Sequence, residues 1–248
     1  FTCADLGAVN VTLTVTDGNS NTANCVAVVT VADTTSPTVA CPGNQAGAVD
    51  GTCNYSLPDY TGLGIGSDNC GTVTVTQVPA AGTIVGLGTT NIVLTATDGS
   101  SNTANCNFDI VVTDATSPTI TCPPNQVENV DVNCQVTLPD YTGLVITADN
   151  CDASPVVTQS PVAGTLISAT TTLTITVTDA ASNTSQCTFD VALNDAIAPT
   201  AVCQNVNAYI DGSGNLTIAA SDLDGGSTDN CGAVTLSASQ TAFTCANL

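Results

Sequence analysis

Positive charge is missing from this chain altogether. Its 248 residues include no lysine, arginine or histidine against 21 acidic residues, a formal net charge of −21. Nothing in it neutralises a phosphate, which excludes nucleic acid as a partner. An anionic membrane surface repels it. Side chains can form no salt bridge with one another, so carboxylates that approach each other are hydrated or share a metal cation. A serine or cysteine nucleophile has no histidine or lysine to act as its base. The only glutamate is Glu128, and the recurring aspartates lie in turn-like words without an apolar pocket, so paired-carboxylate chemistry has no evident seat. The chain reads as no enzyme. Methionine and tryptophan are absent too, and aromatics amount to 3%. Several small stapled cores suit that composition better than one large core. No apolar run is long enough to span a bilayer, so membrane insertion is not expected. No signal peptide is visible and the chain starts in mid-pattern at Phe1, as an interior segment or a mature form would.

Cysteine, by contrast, is abundant, with 13 residues. The spacing lacks the paired C-x-x-C ligands of a zinc site, and the expectation is disulfides in an oxidising, extracellular compartment. The cysteines also reveal a repeat. Cys41, Cys53, Cys70 and Cys106 return as Cys122, Cys134, Cys151 and Cys187, each 81 residues later. SLPDYTGL (Ser56–Leu63) returns as TLPDYTGL (Thr137–Leu144). SDNC (Ser67–Cys70) returns as ADNC and then as TDNC at Thr228–Cys231. TDGSSNTANC (Thr97–Cys106) returns as TDAASNTSQC and is anticipated by TDGNSNTANC at Thr16–Cys25. Residues 33–113 and 114–194 therefore read as whole modules, 1–32 as the C-terminal part of another, and 195–248 as the N-terminal part of a third. FTCADL at Phe1–Leu6 reappears as FTCANL at Phe243–Leu248, 242 residues on. The next copy of residues 1–32 would complete the third module. Either the two words are successive copies within one long polypeptide, or separate subunits complete one another by strand donation. The slight divergence of the words favours the former.

Alternating Thr/Val-rich runs predict strands at TVTVTQV (Thr72–Val78), NIVLTAT (Asn91–Thr97) and CNFDIVV (Cys106–Val112). In the last of these, Cys106, Phe108, Ile110 and Val112 fall on one face. Turn clusters such as DGSSN separate the runs, and helical periodicity is absent. The expected fold is all-β: tandem immunoglobulin-like sandwiches in an extended, disulfide-stapled array with short, proline-bearing joints.

Three words carry a resemblance to the hyalin repeat (HYR) family. They are the joint D-x-x-x-P-T followed by C-P (Asp114, Pro118, Thr119, Cys122, Pro123), the D-N-C triplet (Asp149–Cys151) and T-D-x-x-S-N-T-x-x-C-x-F (Thr178–Phe189). The resemblance implies an extracellular immunoglobulin-like module with adhesion or matrix roles and no catalytic residues. Two departures stand out: the chain lacks the lysines and arginines usual in the family, and its third module breaks the cysteine pattern.

Four cysteines per module allow three connectivities. In the third module, Asn215 stands at the place matched to Cys53 and Cys134, and Cys245 is gained. If Cys231 is the partner of the lost cysteine, the pairing becomes Cys53–Cys70, Cys134–Cys151 and Cys231–Cys245. Cys41–Cys106 and Cys122–Cys187 then tie first strand to last. Cys3, Cys25 and Cys203 are left for adjacent repeats.

Aspartates recur at the joints (Asp33, Asp114, Asp195), in the D-N-C words (Asp68, Asp149, Asp229) and at the hairpin turns (Asp98, Asp179). Oxygen-rich turns with no balancing cation suit Ca²⁺, although Asp and Asn also form turns unaided. Sequons place N-glycan candidates at Asn10, Asn54, Asn183 and Asn215. Thr34 and Thr35 follow Asp33 in a short word resembling a bacterial O-glycan acceptor, and covalent glycans are expected. The leading functional expectation is a section of an extracellular fibre or cell-surface stalk whose partners are copies of itself. The alternative is an adhesin-type module that binds a carbohydrate or a surface. That reading predicts exposed aromatic platforms or a flat threonine array, and Tyr55, Tyr60, Tyr141 and Tyr209 are the only tyrosines.

Overall fold

The strands appear where β-branched residues alternate with polar ones, because a pleated strand sends successive side chains to opposite faces. The computed structural model describes residues 1–247. Two strands open the chain, β1 (Gly7–Thr16) and β2 (Thr22–Val31). The first whole repeat carries β3 (Thr38–Ala40), β4 (Gln45–Ala48), β5 (Tyr55–Ser56), β6 (Ile65–Ser67), β7 (Thr74–Val78), β8 (Ile84–Val85), β9 (Gly88–Thr97) and β10 (Thr103–Thr113). The second carries β11 (Thr119–Thr121), β12 (Gln126–Asn129), β13 (Val136–Thr137), β14 (Ile146–Ala148), β15 (Val156–Ser160), β16 (Leu166–Ile167), β17 (Thr171–Thr178) and β18 (Thr184–Asn194). Residues 195–247 add β19 (Asn215–Thr217) and β20 (Ala242–Thr244). Among the described residues the only helical segments are short 3₁₀ turns, and no helix is long and apolar enough to cross a membrane.

Each whole repeat has the same plan. A four-stranded sheet runs β4-β10-β9-β7 in the first and β12-β18-β17-β15 in the second. The β10–β4 and β18–β12 pairs are parallel, and the others are antiparallel. Short antiparallel pairs complete the repeat: β3–β6 and β5–β8, then β11–β14 and β13–β16.

The chain forms two compact units, residues 1–116 with 150–153, and 117–149 with 154–248. In the first, one face of β9 and β10 supplies Ile92, Leu94, Phe108, Ile110 and Val112 to a core closed by Val49, Leu57 and Tyr60, with the Cys41–Cys106 bond packed against it. The second unit repeats this core with Leu173, Ile175, Phe189 and Val191 around Leu138 and Tyr141. Tyr60 meets Phe108 edge-on at a centroid distance of 5.2 Å, and Tyr141 meets Phe189 at 5.4 Å, the arrangement favoured by the ring quadrupoles.

The LPDY words therefore supply core residues. A buried glutamine from the neighbouring strand holds each in place. The Tyr60 N–H donates to Gln77 Oε1 at 2.7 Å, while Gln77 Nε2 donates to the Pro58 carbonyl at 3.0 Å. Gln159 makes the same two bonds to Tyr141 and Pro139. Each glutamine thus satisfies a donor and an acceptor that burial would otherwise leave unpaired.

Candidate functional site

Two constructions stand out: a clasp built on the D-N-C word, which recurs with the repeat, and a group of carboxylates in the first unit. The clasp begins with a tight turn. In Asp50–Asn54, Asp50 Oδ1 accepts from the Thr52 and Asn54 N–H groups at 2.8 and 3.1 Å and from Thr52 Oγ1 at 2.7 Å. The Thr52 hydroxyl, followed by those amides, holds the Asp50 carboxyl below the usual range. Cys53, carried in the turn, has a left-handed φ of 58°. The matching D-N-C word is the one in the following repeat. Asn150 Nδ2 donates to the Asp50 carbonyl at 3.0 Å, and Cys151 is bonded to Cys53. The next turn repeats the construction: Asn230 Nδ2 donates to the Asp131 carbonyl at 3.1 Å, and Cys231 is bonded to Cys134. At the start of the chain, Cys3 is bonded to Cys70.

These bonds correct the pairing expected from the sequence. Cys53–Cys70, Cys134–Cys151 and Cys231–Cys245 do not form. The turn holding Cys53 or Cys134 is hydrogen-bonded to the D-N-C word of the next repeat and not to its own, which brings the bonded Cα atoms to 5.0 Å, within disulfide reach. Cys3 finds its partner inside the chain. Cys41–Cys106 and Cys122–Cys187 join the first strand of each whole repeat to the last. Cys25, Cys203 and Cys245 are exposed free thiols.

The register of the third repeat is corrected as well. The turn bond from Gly214 N–H to the Asp211 carbonyl matches those from Cys53 to Asp50 and from Cys134 to Asp131. Gly214, with φ of 80°, is thus the residue in the cysteine's place, one before Asn215. A Cβ built on Gly214 would lie 3.2 Å from Cys245 Sγ. The gained cysteine therefore puts its sulfur beside the place of the lost one. The loss of one residue between Cys203 and Asp211 was the available signal, since the offset from Asp131 to Asp211 is 80 and not 81.

The carboxylate group comprises Asp33, Asp68 and Asp98, whose oxygens lie within 4.8 Å of one another. Asp98 is buried and caps the β9–β10 turn: Oδ1 accepts from the Ser100 and Asn102 N–H groups at 2.9 and 2.8 Å, and Oδ2 accepts from Asn102 Nδ2 at 2.9 Å. Burial pushes its pKa up, but these bonds outweigh it and hold the carboxyl below the usual range. Asn102 Nδ2 also reaches the Asp33 carbonyl at 3.2 Å, tying the joint to the turn. Asp33 Oδ1 accepts from Thr35 N–H at 3.0 Å, and Asp68 Oδ2 accepts from Cys70 N–H at 2.8 Å. The other oxygens, Asp33 Oδ2 and Asp68 Oδ1, are buried without a hydrogen-bond partner. Two orphaned carboxylate oxygens beside a third carboxylate, in a chain without cations, form a donor set that fits a hard divalent cation.

The remaining aspartates are placed as follows. Asp114 is buried and accepts from Thr116 N–H at 3.0 Å and from Asn150 Nδ2 at 3.3 Å. Asp149 is half-buried. Asp179 is buried and caps its turn through Asn183 at 2.7 and 2.8 Å. Asp195 is exposed and accepts from Ile197 N–H, while Asp229 accepts from Cys231 N–H. Thr34, Thr35, Asn10, Asn54 and Asn215 are exposed. Asn183 is half-buried, and its amide is spent on Asp179. Of the four tyrosines, Tyr60 and Tyr141 are buried, Tyr55 is half-buried and Tyr209 is 87% exposed.

Comparison with known proteins matches the HYR domain at residues 32–112 and 113–193. A hyalin from Strongylocentrotus purpuratus is 31% identical over 196 residues, which are 76% of this chain but only 16% of that protein. Among solved structures, an I-band fragment from titin superposes with a TM-score of 0.38 at 9% identity, covering 78% of this chain and 76% of the fragment. A protocadherin gamma fragment of extracellular cadherin domains gives 0.35 at 16% identity, covering 78% and 60%. Superposition at this level adds nothing to the architecture already described.

Proposed function

We propose, for a chain that belongs to the HYR domain family, a structural role: a section of an extracellular fibre or cell-surface stalk made of tandem disulfide-bonded repeats, serving matrix or adhesion without catalysis. The observation that supports it most is the clasp. Three times, a D-N-C cysteine is bonded to a cysteine of the repeat before it, as Cys70 to Cys3, Cys151 to Cys53 and Cys231 to Cys134. Consecutive repeats are thereby joined by a covalent bond in addition to the polypeptide. A tensile load that pulled the repeats apart would have to break sulfur–sulfur bonds, which serves a fibre and has no use in a catalyst. Disulfides of this density belong to an oxidising exterior. The adhesin reading has less support, because a sugar platform needs exposed rings and Tyr60 and Tyr141 are in the cores.

The test is made on native material from the source. Electron microscopy should show filaments, and denaturing gels run with and without a thiol reductant should show a species far above the 24.6 kDa of this chain that survives reduction. Collapse to one small band without filaments would refute the reading.

Two features complete the proposal. Ca²⁺ would be held by Asp33, Asp68 and Asp98, where two buried carboxylate oxygens have no other partner. Added EDTA should lower the melting temperature, and Asp33→Asn with Asp68→Asn should remove part of that sensitivity. A melt indifferent to EDTA would end this part of the proposal. Glycans would sit on exposed Thr34 and Thr35 or on Asn10, Asn54 and Asn215, where intact-mass measurement before and after deglycosylation detects them.

A further inference from the structure

Each clasp has two halves, and both are built by local hydrogen bonds that do not involve the sulfurs. One half is the turn that carries Cys53 or Cys134. The Cys53 N–H donates to the Asp50 carbonyl at 3.1 Å, and the Asp50 N–H donates to the Asn54 carbonyl at 2.8 Å. Around Cys134 the same pair of bonds measures 3.0 and 2.8 Å, and Asp131 Oδ1 accepts from the Asn133 and Gln135 N–H groups at 2.8 and 2.9 Å. Both cysteines have a φ of 58°, so the closed turn fixes the direction of each Cα–Cβ bond. The other half is the D-N-C word, where the Cys231 N–H donates to Asp229 Oδ2 at 3.0 Å.

The asparagine of the word spans the halves. Asn150 Nδ2 donates to the Asp50 carbonyl at 3.0 Å, and it lies 3.5 Å from Cys151 Sγ and 3.3 Å from Asp114 Oδ1 of the joint. Asn230 Nδ2 donates to the Asp131 carbonyl at 3.1 Å and lies 3.3 Å from Cys231 Sγ. One amide nitrogen thus touches both the turn that carries one cysteine and the sulfur of the other. The opposite end of the side chain has no such use. Asn150 Oδ1 and Asn230 Oδ1 are buried without a hydrogen-bond partner. Burying an unpaired carbonyl oxygen is unfavourable, so this side chain suits its place by its donor end alone.

We infer that Asn150 and Asn230 are the positioning residues for oxidation of the Cys53–Cys151 and Cys134–Cys231 clasps: each docks its D-N-C cysteine on the turn of the preceding repeat while both thiols are still reduced. Docked thiols meet at a raised effective concentration, because the contact holds their two loops together. A low-molecular-weight disulfide such as oxidised glutathione is the oxidant. The thiolate of one cysteine attacks it, a mixed disulfide forms and one reduced glutathione leaves. The thiolate of the other cysteine then attacks the protein sulfur of that mixed disulfide, and a second reduced glutathione leaves. In sum the two thiols lose two protons and two electrons, one protein disulfide forms, and one oxidised glutathione becomes two reduced ones. The asparagine exchanges neither proton nor electron. By the same contact, a clasp that has been reduced keeps its partner at hand and closes on it again.

The inference rests on the clasp and not on the fibre reading, so a chain whose clasps close this way yet makes no filaments in its source would leave it standing. The test uses the purified 248-residue chain, equilibrated in glutathione buffers of graded ratio, quenched with an alkylating agent and digested with pepsin, since trypsin has no lysine or arginine to cut at. Mass spectrometry then gives the oxidised fraction of each pair. Asn150→Leu removes the donor and keeps a side chain of similar size. In it the glutathione equilibrium constant of Cys53–Cys151 should fall roughly three- to tenfold, the weight of one hydrogen bond. Cys41–Cys106 in the same unit and Cys134–Cys231 in the other should not move. Asn230→Leu should do the reverse, weakening Cys134–Cys231 and sparing Cys53–Cys151 and Cys122–Cys187. A role confined to general stability would instead loosen Cys41–Cys106 or Cys122–Cys187 along with the clasp. The reciprocal variants keep the test decisive should one of them fail to fold. Clasp constants unchanged in the folded variants, or an equal fall in the other disulfide of the same unit, would each overturn the inference.

Discussion

Deleting one clasp tests both the disulfide assignment and its energetic weight. The Cys134–Cys231 bond spans 97 residues. Cys122–Cys187 crosses that span, so the shortest covalent path left to the unfolded chain is roughly 56 residues. Loop closure over such a path is worth about 4 kcal/mol, a large share of the 5–15 kcal/mol of a typical domain. The double variant Cys134→Ala/Cys231→Ala should lower the stability of the second unit by about that amount, a fall in Tm of roughly 15 °C for a unit of this size. The first unit keeps Cys3–Cys70, Cys41–Cys106 and Cys53–Cys151 and should melt as before, so circular dichroism should resolve two steps. The single variant Cys231→Ala adds a second readout. Alkylation without reduction labels the three free thiols Cys25, Cys203 and Cys245 in the parent, and the variant should add Cys134 to them. An unchanged melt, or a Cys134–Cys151 peptide in the parent, would refute the reasoning.

The core and its exposed counterpart should respond differently to the same change: Leu94→Ala removes a fully buried side chain and should cost about 2–5 kcal/mol, whereas Leu13→Ala, at 57% exposure, should stay within about 0.5 kcal/mol in the monomer. Acid should unfold the protein by a route read from its turns. Hydrogen bonds from Thr52 lower Asp50, and those from Asn102, acting against burial, lower Asp98. A carboxyl whose folded pKa lies below its unfolded value stabilises the fold above that unfolded value, 3.8 here, and the contribution is lost as pH falls through the folded pKa. Thermal melts should therefore hold steady above pH 5 and fall steeply below about pH 4. At the alkaline end, burial first and then hydrogen bonding to a neighbour push Tyr60 and Tyr141 up to about 12. Their protonated phenols favour the folded state up to the ordinary value of 10.0, and that support is lost as pH rises toward about 12. Absorbance titration should show two of the four tyrosines ionising late.

The sequence by itself determined the elements and their inner faces. Alternation in CNFDIVV assigns Phe108, Ile110 and Val112 to one side of a strand, because the pleat has a period of two whatever surrounds it. The recurring cysteines and words marked the modules, and the absence of cations excluded salt bridges between side chains before any fold was known. Three things were decided only in space. The LPDY tyrosines sit in the cores, where Gln77 and Gln159 reach across to accept from their backbone N–H groups. Asp33 of the joint, Asp68 of the D-N-C word and Asp98 of the turn are well separated along the chain, and they meet because the β9–β10 turn bonds back to the joint through Asn102. The cysteine partners were the least legible. Spacing lists the sulfurs, but a disulfide needs Cα atoms within about 7 Å, and which turn faces which D-N-C word is a property of successive folded repeats. Cys70 stands far closer to Cys53 in the sequence than Cys151 does, yet the distant one is its partner. Proximity in a folded chain is set by packing and not by separation along it.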